Sequence, residues 1–183
     1  MKPDQKKTSY TLAKVTIGDA IKAALAKFPG KAIIAELEDE DGYLIYSIEI
    51  IGEKDLITEV EVDAGNSKVL ASDVENEEDT DEDEEPGTIR GSMSLEENEK
   101  LTMGALARIS IIEAIDAALA RFPGKAINAE LEDEDGYLVF EVEVVGAKGI
   151  RTDVKVDAGN GKILASENEG SKEKEHEDKE DED

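Results

Sequence analysis

The feature that most constrains this chain is that it says the same thing twice. Phe28 to Tyr46 reads FPGKAIIAELEDEDGYLIY, and Phe122 to Phe140 reads FPGKAINAELEDEDGYLVF, at an offset of 94. Sixteen of those nineteen positions are identical. The match reaches upstream through Asp19-Ala20-Ile21 and Glu113-Ala114-Ile115, and downstream through Val62-Asp63-Ala64-Gly65-Asn66 and Val156-Asp157-Ala158-Gly159-Asn160. A repeat of this kind means one supersecondary unit built twice. In 183 residues it allows two small domains and a connector.

The segments around the repeats differ in kind. Asp73 to Glu85 holds ten carboxylates and no base, followed by Pro86-Gly87. Glu167 to Asp183 is again acidic and carries the only histidine, His176. Such blocks have too little apolar surface to offset their ordering entropy and read as disordered or extended. The boundaries expected are a first domain at 10–72, an acidic linker at 73–93, a second domain at 94–166 and an acidic tail at 167–183. Ser94-Leu95-Glu96-Glu97 has the form of a capping box, opening a short helix ahead of the second copy.

Within a copy the periodicity changes once. Thr16 and Ser110 stand three residues before Asp19 and Glu113, a helix start, and Ile17, Ala20, Ile21, Ala24, Leu25 and Phe28 recur at helical spacing. Pro29-Gly30 and Pro123-Gly124 end that helix. The pattern then alternates, as in a half-buried strand. Ala35 and Leu37 face one way, Glu36 and Glu38 the other. Asp41-Gly42 is a tight-hairpin dipeptide. Leu44, Tyr46, Ile48 and Ile50 follow as inward residues, and Val60 and Val62 make a third strand. A short edge strand at Lys68 to Ala71 closes the copy. Centring the turn on Asp41-Gly42 sets Leu37 opposite Tyr46, Ala35 opposite Ile48, and in copy two Leu131 opposite Phe140. The fold class is therefore α+β: each copy a helix on one face of a three- to four-stranded antiparallel sheet, its other face open.

Charge narrows the partners. Twenty-one basic against 47 acidic side chains leave −26, so nucleic acid and anionic membrane surfaces would be repelled. Cations, or cationic patches on proteins, are the natural counterparts. There is no cysteine, which removes disulfides and thiolate chemistry. No apolar run approaches a membrane span, so no membrane insertion is expected. Nor does the start of the chain lead into a signal-peptide core. The chain is cytosolic or the mature form of an exported protein. No serine–histidine constellation or phosphate loop is present, and with 4% aromatic residues a sugar cleft is disfavoured. No enzymatic activity is expected.

A helix carrying A-I-x-A-A-L, then P-G-K-A, A-E-L-E-x-E-D-G-Y, an alternating V-E-V strand and V-D-A-x-x-G/S-K-V/I-L resembles the PepSY domain, and does so twice. The resemblance implies an exported, periplasmic protein. It also implies kinship with the propeptides of secreted peptidases and with acidic tandem PepSY proteins that bind lanthanide ions.

Strand parity defines the candidate site. The open face of copy one carries Glu36, Glu38, Glu49, Glu59, Glu61 and Asp63, with no lysine or arginine among them. That of copy two carries Glu130, Glu132, Glu141, Glu143, Asp153 and Asp157, diluted by Arg151 and Lys155. Glu130 should face Glu141, and Glu49 should meet Glu59 or Glu61. Like charges across strands cost about 0.2–1 kcal/mol each. A bound hard cation relieves that cost, and lanthanide ions or Ca2+ suit an all-oxygen donor set. The hairpin tips add Asp39, Asp41, Asp133 and Asp135 beside turn carbonyls, without the ligand spacing of an EF-hand. A solvated acidic face is the plain alternative. A PepSY-type peptidase inhibitor, or an interaction module for a basic protein partner, is the functional one.

Overall fold

In the computed structural model, residues 10–74 and 95–168 are described. The expectations for the linker beyond 74, Ser94, and the tail beyond 168 with His176 lie outside them. Each copy opens on a capped helix. Thr16 accepts from the Asp19 amide at the start of α1 (Ile17–Lys27). Ser110 and Glu113 form a full capping box at the later helix α3 (Ile111–Arg121). Both helices bury the Ile-Ala-Ile-Ala stripe that their spacing predicts, namely Ile17, Ala20, Ile21 and Ala24, then Ile111, Ala114, Ile115 and Ala118.

The strands follow in the expected order: β1 (Lys31–Glu40), β2 (Tyr43–Ile51), β3 (Ile57–Asp63) and β4 (Val69–Val74). Copy two repeats them as β5 (Gly124–Glu134), β6 (Tyr137–Gly146), β7 (Arg151–Asp157) and β8 (Ile163–Asn168). The edge strands run on to Val74 and Asn168, further than the sequence pattern indicates. The hairpins turn on Asp41-Gly42 and Asp135-Gly136, all four at positive φ as a type I′ turn requires. Leu37 pairs with Tyr46, Ala35 with Ile48, and Leu131 with Phe140.

The two sheets are joined. The order β4-β3-β2-β1-β5-β6-β7-β8 makes one antiparallel sheet of eight strands. At its centre Ala35 pairs with Ala129, its own counterpart, flanked by Ile34 with Glu130 and Glu36 with Asn128. A pseudo-twofold axis therefore passes between the alanines. Only three residues of each strand pair, so beyond Glu36 and beyond Glu130 the two strands diverge. Beneath α1 and α3 one core runs through both copies, with Tyr46 and Phe140 its largest fully buried side chains. Tyr46 donates its hydroxyl proton to the Val15 carbonyl, and burial beside Asp19 pushes its pKa up to about 12.

The other face is not fully open, which corrects the sequence reading. Helix α2 (Leu95–Leu106) lies against it, so closely that a methyl added at Gly104 would overlap Ile51 and touch Ile33. Ile45, Ile57, Val139 and Val145 are also buried, although they share strand parity with the glutamates. The run Leu44-Ile45-Tyr46, apolar at three successive positions, is the signal that simple alternation overlooks.

Candidate functional site

The carboxylate pairs that parity predicts are present. Glu49 stands opposite Glu59 and Glu130 opposite Glu141, and the structure adds a pair not among those expectations, Glu143 opposite Asp153. Glu130, near the pseudo-twofold axis, has its pKa raised by burial first and then by Glu49, Glu36 and Glu141, with Lys100 pulling the other way. Glu132 is raised by burial and by Glu141 and Glu130. Glu61 is raised by burial, by the charges of Glu40 and Glu59, and by a hydrogen bond shared with Glu40.

The expectation that no base reaches the face of copy one is overturned. Lys100, carried in by α2, places its Nζ 2.8 Å from Glu49 Oε2. Parity within the strands could not show this, because Lys100 belongs to a helix of the other copy. In copy two Arg151 pairs with Glu143, while Lys155 pairs with Glu134 and Glu141. Ser47 donates its hydroxyl proton to Glu59 at 2.7 Å.

Other acids are occupied by turns. Asp39 and Asp133 accept from the Gly42 and Gly136 amides at 3.1 and 2.9 Å. Asp41 and Asp135 supply the positive-φ residue of each hairpin. Asp63 and Asp157 accept from the Gly65 and Gly159 amides and from the side chains of Asn66 and Asn160. Among the described residues no three or more Asp, Glu or His side chains converge in a group that could hold a metal ion.

What parity did not reveal is a cleft at the junction of the copies. It opens where β1 leaves β5, with Glu36, Glu38, Asp39 and Glu40 on one wall and Ile127, Asn128, Glu143 and Arg151 on the other, and Tyr10 beside them. Five carboxylates there face one guanidinium. Among the described residues no strand pairs with the Leu37–Glu40 stretch of β1 on this side, the kind of edge to which an extended ligand can add. Asn128 Oδ1 is buried at the cleft with no partner among the described residues. The signal for this site was the repeat itself, which lets β1 pair with its own duplicate.

A family described as "Peptidase propeptide and YPEB domain" (PepSY) matches residues 14–73 and again 108–167. Among solved structures, a candidate lipoprotein from Clostridium difficile 630 is 20% identical with TM-score 0.45, covering 85% of this chain and 94% of that one. The YpmB protein from Bacillus subtilis is 20% identical with TM-score 0.34, covering 81% and 94%. No curated protein matches the chain. Among the described residues no helix is long and apolar enough to cross a membrane.

Proposed function

This chain belongs to the PepSY family, in tandem, and from that premise we propose that it is a non-catalytic binding module whose junction cleft takes a lysine- or arginine-bearing segment of a partner protein. The observation that carries the reading is the cleft: five carboxylates beside the stretch of β1 that extends past its pairing with β5. An extended basic segment would pair with that edge and set its cations against Glu36, Glu38 and Glu143. Electrostatic complementarity of this kind raises association rate and sets specificity. The family description names peptidase propeptides, so the segment would belong to a secreted peptidase or its substrate. A periplasmic setting goes with the family resemblance, and cell fractionation tests it.

Binding of a fluorescent lysine-rich peptide, followed by anisotropy, is the test. Saturable binding that weakens with salt is expected, because exposed charges are screened over about 10 Å at 0.1 M. Glu36→Gln with Glu38→Gln should weaken it about three- to tenfold, the share of two exposed ion pairs. No saturable binding at low salt would reject the reading.

A second reading keeps hard cations, lanthanide ions or Ca2+, on the same face. It is favoured by Glu130 and Glu132, whose pKa values are raised by burial and by neighbouring carboxylates that a multivalent ion would relieve. It stands second because the described carboxylates do not converge as ligands. Terbium titration with emission sensitised by Tyr43 and Tyr137, both largely exposed at the hairpin tips, separates it from peptide binding.

A further inference from the structure

Strand β1 outruns its partner at the junction, and the part that outruns it has a fixed alternation. Its pairing with β5 ends at Glu36 opposite Asn128, and no described strand pairs with Leu37, Glu38, Asp39 and Glu40 on that side. The hairpin register decides which way each side chain points. Leu37 stands opposite Tyr46, which is buried in the core, whereas Glu36, Glu38 and Glu40 stand opposite Ser47, Ile45 and Tyr43. The three glutamates therefore share the face turned away from α1 and α3, at every second position.

The duplicate provides the comparison. In copy two Leu131, the counterpart of Leu37, is 3% exposed, and Glu132 and Glu134 are half-buried. In copy one Leu37 is only half-buried, and Glu38, Asp39 and Glu40 are exposed. The same Leu-Glu-Asp-Glu run is thus more deeply covered in one copy than in the other. Across the cleft Arg151 is paired with Glu143, so the surplus negative charge lies on the β1 wall. Glu40 also shares a hydrogen bond with Glu61 and raises its pKa, a crowding that a cation beside Glu40 would relieve.

Resting on the reading of the cleft as a site for a basic segment, we propose that the segment adds to β1 as a short antiparallel strand of the pattern cation–any residue–cation–apolar. Its two cations stand opposite Glu40 and Glu38, and its apolar residue stands opposite Leu37. The direction follows from the sheet, in which every strand pair is antiparallel. Side chains directly opposite each other have Cβ atoms about 4.5–5.5 Å apart, and the next position along points to the other face. On that other face Asp39 is held by the Gly42 amide. Adjacent cations cannot both reach the glutamate row, so the site selects spacing as well as charge.

Two fluorescent peptides of one composition test the register on the full chain at low salt, by anisotropy. Both are acetylated and amidated, with cores Thr-Lys-Thr-Lys-Val-Thr and Thr-Lys-Lys-Thr-Val-Thr. The alternating peptide should bind about two- to fivefold more tightly, the share of one exposed ion pair held in register. Glu38→Gln, a change at an exposed side chain, should bring the two affinities together. Serine in place of the peptide valine should weaken the alternating peptide about threefold, through lost apolar contact with Leu37. Equal affinity of both peptides for the native chain would overturn the register and leave the cleft a site for basic segments. A preference that persists in Glu38→Gln, or a serine peptide that binds as well as the valine one, would overturn it too. If neither peptide binds, the reading of the cleft fails and the register fails with it.

Discussion

At position 128 copy two carries asparagine where copy one, at 34, carries isoleucine, and both stand next to the pseudo-twofold axis. Asn128 Oδ1 is buried without a partner among the described residues, while Ile34 packs against the core. Leaving a buried acceptor unsatisfied costs about 1–3 kcal/mol. Asn128→Ile should therefore raise stability by about 1 kcal/mol, read as a higher urea midpoint with unchanged m-value. Position 130 tells the opposite story of charge. The folded pKa of Glu130, like that of Glu132, lies above the ordinary 4.5, so the folded state holds these protons more tightly than the unfolded chain. Their contribution is fully favourable below about pH 4.5 and is lost as pH rises through the raised folded values. Stability should then increase on acidification from pH 7 toward pH 5, contrary to the usual carboxylate behaviour. Glu130→Gln with Glu132→Gln should flatten that slope and raise stability at pH 7 by about 0.2–1 kcal/mol per relieved pair. Thermal melts between pH 4.5 and 8 check both outcomes.

At the scale of elements, the local code is consistent with the fold throughout. The N-caps, the Ile-Ala helix stripe and the Asp-Gly hairpins each appear where their residues specify them. Ser110→Ala should cost about 1 kcal/mol, because it leaves the Glu113 amide without its acceptor. Gly30 and Gly124 mark where β1 and β5 meet their hairpin partners so closely that a methyl would overlap the Ile51 and Val145 carbonyls. Replacing either with alanine forces strand backbone apart and should cost about 1–3 kcal/mol in chemical denaturation. What alternation could not supply was the other side of the sheet. The acids of β2 and β3 read as a bare row because Lys100 reaches them from α2, a helix nearly fifty residues downstream of β2 in the chain.

For the whole molecule the central fact is that the two copies share one sheet and one core. A single repeat would expose the β1 edge and lose the partner carbonyls of Lys31. Domains of this size bury too little surface to be secure alone. Residues 10–74 expressed separately should melt without the cooperative transition of the full chain, which circular dichroism would show. The duplication, the helix–sheet alternation and the hairpin register were legible in the sequence, because each depends on neighbours within about a dozen positions whose side chains fall on fixed faces. The acidity of the site was legible too, since strand parity assigns faces without knowing what packs against them. Whether those acids stood alone was not. That depended on Ala35 meeting Ala129 across the axis, on α2 swinging its lysine over the first copy, and on the two central strands parting after three residues. Those are long-range contacts, selected by packing and by the satisfaction of buried polar groups rather than by local pattern, and only the tertiary structure decides them.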